Sequence, residues 1–268
     1  MSKPSLDRST LIGTGVALFG IIAGLWLDGG SIRQVVQPTA ALIVGGGTLG
    51  AVMLQFPLHT LEQALKQLKE AIIEPDMNGQ QITDQLVRYC SRARRQGMVG
   101  LDGELPEMED DFLRKALTLG VDGFAVPDLR RVMERDLLCR EEQEENIARV
   151  FEAAGGFSPT LGIMGAVLGL IQVMQRMDNI GEIGKGIAVA FVSTLYGIGL
   201  ANLLFLPLAG KLRIRFRARQ MVRGMALEAV VSIVEGISPV ALRHELEFAI
   251  ATSPRKMQPL SSQELLVR

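Results

Sequence analysis

Four stretches of this chain carry no Asp, Glu, Lys or Arg: Ser9–Leu27, Gln34–Leu61, Ala153–Gln175 and Gly186–Gly210, of 19, 28, 23 and 25 residues. All 28 basic and 29 acidic residues lie outside them. A bilayer core of roughly 30 Å is crossed by about 20 apolar residues in a helix, and each stretch reaches or approaches that length. The pattern predicts an all-α polytopic membrane protein with four transmembrane helices and a helical cytoplasmic domain. Composition excludes several other classes. A hydrophobic fraction of 48% excludes a disordered chain. A net charge of −1 lacks the basic excess of a nucleic-acid binder. Two cysteines, Cys90 and Cys139, are too few for a disulfide scaffold or a four-cysteine zinc site. No metal, no cofactor and no enzymatic activity are expected.

Orientation follows from the flanking charges. Lys3 and Arg8 precede the first stretch, which is longer than a secretory core and has no convincing small-residue cleavage site after Leu27. The connectors Asp28–Arg33 and Arg176–Lys185 are short and carry few basic residues, whereas Lys211, Arg213, Arg215, Arg217 and Arg219 crowd the exit of the fourth stretch. The positive-inside rule puts that exit in the cytoplasm, and four spans then put both termini and the long middle loop there. The expected organisation is a first transmembrane hairpin over 1–57, a cytoplasmic helical loop over 58–152, a second hairpin over 153–211, and a C-terminal helix with a flexible tail over 212–268.

The loop reads as helical. Leu61, Ala64, Leu65, Leu68 and Ile72 follow helical spacing, and the helix breaks at Pro75–Gly79. A second helix is predicted over Gln81–Gln96, with Ile82, Leu86, Val87 and Cys90 on one face and Gly97 at its end. A third is predicted over Glu107–Leu119. A fourth begins near Pro127, a favourable first-turn residue, and with no turn signal before Gly155 it should run on into the third span. Lys211–Gly236 is expected to be helical too, without a clean apolar stripe. No strand pattern is apparent.

The spans are rich in small residues: Gly45, Gly46, Gly47 and Gly50, then Gly162, Gly165 and Gly169. Small residues at three- and four-residue spacing let helix backbones approach closely, either within one chain or between copies. No Asp, Glu, Lys, Arg or His lies deep in any span, although intramembrane carboxylates are the usual proton relay. The interior polar residues are hydroxyls and amides: Thr14, Thr48, Thr160, Gln172, Ser193, Thr194, Tyr196 and Asn202. Of these the adjacent Ser193 and Thr194 are the best candidates for an ion path. Pro159 and Pro207 sit at the cytoplasmic ends of the third and fourth spans, at what reads as matched depth. Each kinks its helix, forming a hinge or merely shaping the bundle.

Pro159–Leu170 (PTLGIMGAVLGL), Phe205–Ala209 (FLPLA), Ala93–Asp102 (ARRQGMVGLD), Ile12–Gly15 (IGTG) and Ile43–Gly50 (IVGGGTLG) resemble the MotA/PomA flagellar stator subunits, over nearly the whole chain. The resemblance implies a homo-oligomeric ring of five in the bacterial inner membrane around two copies of a single-span, peptidoglycan-binding partner of the MotB type. That partner brings the missing membrane carboxylate, and ion flow turns the ring against the rotor protein FliG. It also implies roles by position. Pro159 and Pro207 take the two family prolines, Arg94 the rotor-contacting arginine, and Asp102 the place of the usual loop glutamate, with Arg95 and Glu104 beside them. Sodium-driven members resemble one another in carrying a hydroxyl where this chain has Ala166, while Thr194 keeps the hydroxyl of the fourth span. The expected ion is therefore a proton. Two other readings are an energy-coupling subunit like ExbB or TolQ, which would have three spans and an external N-terminus, and a passive membrane scaffold.

Overall fold

The computed structural model describes residues 5–6, 8–27, 29–74, 79–175, 177 and 180–252. Lys3, Asp28, the break at Pro75, Arg176 and the tail Ser253–Arg268 lie outside the described residues. The helices are α1 (Arg8–Leu27), α2 (Ile32–Val35), α3 (Pro38–Ala41), α4 (Gly47–Gln55), α5 (Leu58–Ile72), α6 (Gly79–Gln96), α7 (Asp111–Val121), α8 (Val126–Gln175), α9 (Ile180–Gly199), α10 (Leu206–Val234) and α11 (Pro239–Thr252). Two π-helical segments, Leu42–Gly46 and Leu200–Phe205, join α3 to α4 and α9 to α10. A 3₁₀ segment, Met98–Glu107, leads to α7.

The fold is all-α. A single two-residue antiparallel pairing, β1 (Ser5–Leu6) with β2 (Ile73–Glu74), is the exception that the sequence pattern did not reveal. Among the described residues three helical runs are long and apolar enough to cross a bilayer: Pro38–Gln55, Val126–Gln175 and Gly181–Val234. α1 adds 20 residues, a rise of about 30 Å. The predicted continuity of the fourth loop helix into the third span is borne out by α8, a single helix of 50 residues.

The chain forms two compact units, one from Met1–Pro75 with Gln143–Arg215, the other from Asp76–Glu142 with Phe216–Arg268. In the first unit α8 and α9 run antiparallel with their backbones in contact. A Cβ on Gly197 would lie 2.5 Å from the Ser158 carbonyl oxygen and 3.0 Å from Gly162 Cα. A Cβ on Gly169 would meet the Gly186 carbonyl at 2.7 Å, and one on Gly165 would meet the Ser193 side chain at 2.6 Å. These glycines therefore pack within the chain. Gly45 and Gly50 have nothing within 4 Å. Arg213 ties α10 to the middle of α8 by donating three hydrogen bonds, two to Glu145 at 2.8 and 3.1 Å and one to Glu152 at 2.9 Å.

The second unit has a core of Leu86, Cys90, Leu101, Phe112, Ala116, Leu117, Leu129, Met133, Val230 and Leu242. The α6 stripe was legible in part: Ile82, Leu86 and Cys90 face inward at i, i+4, i+8, whereas Val87, expected on the same face, lines the open groove beside α11. The third loop helix starts later than its pattern suggested, because Asp110 caps it. Its carboxylate accepts the Phe112 and Leu113 N–H groups at 2.9 and 3.2 Å. The preceding Met98–Glu107 winds as 3₁₀ instead. The second half of α10 lacks a clean stripe because it is buried nearly all round: Ala226, Leu227, Ala229, Val230, Val231 and Ile233 all lie in the core. Gly236, at φ +85°, ends the helix where the sequence placed its end and turns the chain into α11, a separate helix that the sequence reading did not name.

An ion cluster closes this unit. Asp136 accepts from Lys115 and Arg140 at 2.6 Å each, and Arg140 reaches Asp111 at 3.0 Å. Burial opposes the Asp136 charge, but these hydrogen bonds outweigh it and hold its carboxyl below the ordinary carboxylate range. Hydrogen bonds from Arg140 and Arg114 do the same for Asp111.

Two outcomes are expected. A carboxylate with a lowered folded pKa contributes stability that is present above its unfolded value, near 3.9, and is lost as pH falls through the folded value. The melting temperature of the detergent-solubilised protein should thus be flat above about pH 5 and fall below roughly pH 4. Asp136→Asn should lower it at neutral pH and shrink the acid limb. Gly197→Ala should destabilise by about 1–3 kcal/mol through overpacking, while Gly184→Ala, with nothing within 4 Å, should be nearly neutral. Equal melting of the two glycine variants would contradict the backbone contact.

Candidate ion path and charged face

The polar positions of the first unit gather where the α3–α4 run packs on α8 and α9. Ser158 is fully buried and donates its one hydroxyl proton to the Ala154 carbonyl at 2.7 Å. Thr48, 2% exposed, therefore donates to Ser158 across the 3.3 Å between their oxygens. This interhelical pair was missed, although Thr48 stood out as polar; Ser158 carried no signal beyond lying next to Pro159. Tyr196 bridges to the outer corner of the second span, where the chain is extended at Val36 and Gln37. Its hydroxyl donates to the Val35 carbonyl at 2.7 Å and accepts the Gln37 N–H at 3.3 Å. Unpaired backbone groups cost several kcal/mol in hydrocarbon, so this one hydroxyl satisfies both sides of the break.

Ser193 and Thr194 separate. Ser193 is fully buried against Gly165, near Ile43 of the first π-helical segment, and its oxygen has no hydrogen-bond partner. Thr194 is half-buried and donates to its own helix at the Ala190 carbonyl, 3.3 Å away. Ala166, adjoining Gly165, is half-buried.

The prolines do not share a depth. Pro159 Cα lies 3.2 Å from a Cβ placed on Gly197, so the two are level. A Cβ placed on Gly155, about one turn of α8 before Pro159, would meet the Leu206 side chain at 2.7 Å and Phe205 Cβ at 3.5 Å, so Pro207 lies more than one turn away from the level of Pro159. The sequence places both near span ends, but only the contact register of α8 on α9 reveals the offset. Their backbones differ too. Pro159 sits inside a continuous α8, whereas Pro207 follows directly on the π-helical Leu200–Phe205. A π turn re-routes backbone bonds where a proline N–H is missing. Beside it, Asn202 donates its amide to the Ile198 carbonyl at 3.0 Å.

In the second unit Arg94 and Arg95 form the last turn of α6, where the helix dipole favours cations. Gly97, at φ +77°, ends the helix beyond them. Both arginines are exposed, as is Asp102 in the 3₁₀ segment, and none of the three has an ion pair among the described residues. Glu104 differs, being engaged by Arg92. Beneath this face Cys90 is buried, which pushes its thiol pKa up against the opposing field of Arg94, and its sulfur donates to the Ile237 carbonyl at 3.4 Å.

Two family models match the chain. Residues 104–225 match the MotA/TolQ/ExbB proton channel family, and residues 11–97 match the motility protein A N-terminal region. Motility protein A of Bacillus subtilis is 32% identical over 248 residues, covering 90% of both chains. Among solved structures, the C. jejuni MotAB structure superposes with a TM-score of 0.85 at 29% identity, covering 96% of this chain and 100% of that one. The flagellar MotAB stator complex of Bacillus subtilis gives 0.81 at 29% identity, with coverages of 97% and 100%. An N-terminal region matched by its own motility model, a proton-channel core and two whole-chain superpositions converge on one assignment: the chain belongs to the MotA/TolQ/ExbB proton channel family, in its motility protein A group.

Proposed function

We propose that the chain is a stator subunit of the bacterial flagellar motor, which forms with a MotB-type partner an ion channel that converts ion flow into torque. One observation carries this reading beyond the family: its four charge-free stretches hold no carboxylate. A chain built to pass ions through a bilayer without its own relay needs one from a second protein. The partner is a single-span, peptidoglycan-binding subunit whose membrane aspartate supplies the relay. Five copies of this chain surround two of the partner in the inner membrane, with both termini and the large loop in the cytoplasm. Pro159 and Pro207 couple ion binding to movement, each through its own local backbone rather than as one paired hinge.

The ion is a proton. A sodium ion must exchange its water for oxygen ligands, and the path past Ala166 and Thr194 offers one side-chain hydroxyl per subunit, with Ser193 turned inward behind it. A protonophore should stop swimming, and removal of external sodium should leave speed unchanged. Sodium-dependent rotation at constant proton-motive force would overturn the ion assignment. Failure to co-purify with a single-span, aspartate-bearing partner would overturn the stator reading itself.

Arg94, Arg95, Asp102 and Glu104 face FliG. Exposed ion pairs contribute about 0–1 kcal/mol each, so Arg94→Ala should reduce torque mildly and Arg94→Glu more strongly. A charge reversal on the rotor should restore motility to the Glu variant. Equal effects of the two substitutions, with no rescue, would mark the face as merely solvated.

A further inference from the structure

The second unit holds an open groove of about 700 Å³ between α6 and α11. Four of its lining residues are arginines, Arg88, Arg92 and Arg95 from α6 and Arg243 from α11, against a single lining carboxylate, Asp84. The chain as a whole is balanced to within one charge, so this excess is local. Arg88, Arg92 and Arg95 follow at i, i+4, i+7 and so share one helix face, spanning about 10 Å. Arg243 is neutralised by Asp84 at 2.8 Å, and Arg92 by Glu104. Arg88 and Arg95 are exposed and make no ion pair or hydrogen bond among the described residues. The groove therefore holds two unspent guanidinium groups at its two ends, with two more whose carboxylates could be displaced.

We infer that this groove binds a small phosphorylated anion carrying at least two phosphate groups. A guanidinium presents a planar fork of donors that matches phosphate oxygens two at a time. Arg88 and Arg95 leave α6 about 10 Å apart, a spacing matched better by a ligand with separated phosphates than by a single one. The volume lies within the usual range for small-molecule sites, about 300–1,000 Å³, and Gln96 on the rim adds an amide for the rest of the ligand. Binding would hold Arg95 inside the groove and withdraw its charge from the rotor-facing row. That consequence rests on the stator reading; the binding does not.

The test uses the full chain purified in detergent with its partner and without the rotor, titrated calorimetrically with inorganic triphosphate and with adenosine triphosphate in the absence of magnesium. Saturable binding at sub-millimolar concentration, weakened at least tenfold by Arg88→Ala with Arg95→Ala, is the expected result. Asp84→Asn, which removes the lining carboxylate, should tighten it. The double variant Arg131→Ala with Arg135→Ala, an equal charge loss elsewhere on the surface, should leave it unchanged. No saturable binding of either probe, or equal weakening by both double variants, would overturn the proposal. So would failure of both probes together with a photo-cross-link from position 96 to an acidic protein segment in cells, which would make the groove a protein-docking face. Because the rotor is absent, a negative titration leaves the stator reading standing, and failure of that reading leaves the titration interpretable.

Discussion

Backbone-to-backbone contact between α8 and α9 is the constraint on which the membrane unit depends. In hydrocarbon there is no hydrophobic force to press two apolar helices together, so association rests on close van der Waals packing and on interhelical polar contacts. Gly162, Gly169, Gly186 and Gly197 remove the side chains that would hold the axes apart, and at Gly197 even one methyl would overlap a carbonyl. With the inner faces emptied of bulk, the large apolar side chains are sorted to the opposite faces. Ile187, Phe191, Leu195 and Ile198 of α9 are exposed at i, i+4, i+8, i+11, and Ile163, Val167, Leu170 and Met174 of α8 at i, i+4, i+7, i+11. The same close approach brings Ser158 within reach of Thr48 and seals Ser193 behind Gly165. Thr194, one residue on, is only half-buried. A single register of small residues thus decides which hydroxyl is sealed between helices and which remains partly exposed.

Both described π-helical segments lie within the membrane-length apolar runs. The π-helical Leu42–Gly46 packs on α9, and Leu200–Phe205 precedes Pro207. A π turn costs regular hydrogen bonding and recurs where a helix must carry a local irregularity. Here the irregularity at Pro207 is met by the π turn and by the Asn202 amide on the Ile198 carbonyl. Pro159 instead lies against Gly197, where the helices already touch. Motion at Pro159 would have to shear that contact, whereas motion at Pro207 need only alter the winding of its own helix. The two prolines therefore offer mechanically different joints.

What the sequence made legible follows a physical division. Charge-free runs and helical periodicity are local properties, so the spans, most of the α6 stripe and the unbroken α8 could be read directly. The capped start of α7 was local as well, but Asp110 was hidden by its acidic neighbours Glu107, Glu109 and Asp111. The depth of Pro207 relative to Pro159 was not local. It depends on which glycine of α9 meets which turn of α8, and the small residues of both helices allow more than one sliding register. The winding of Leu42–Gly46 and Leu200–Phe205 likewise follows from tertiary packing rather than from residue preference. The apparent disorder of the α10 pattern around Met225–Val230 had a definite cause: a helix buried on nearly all sides has no stripe to show.

The second unit solves a different problem, which is to keep charge exposed on a surface that does not yield. Long basic side chains on a loop would lose their position to entropy. On α6 the preceding turns carry Leu86 and Cys90 into the core, and Gly97 stops the helix abruptly beyond Arg95. The core thereby fixes the direction in which Arg94 and Arg95 project, while four carboxylates of the unit are committed elsewhere: Glu104 to Arg92, Asp84 to Arg243, Asp111 and Asp136 to Arg140. Screening shortens the reach of exposed charge to about 8–10 Å at physiological salt. A force transmitted by such charges acts only at near contact, and rigidity beneath them, rather than their number, limits how much of it is passed on.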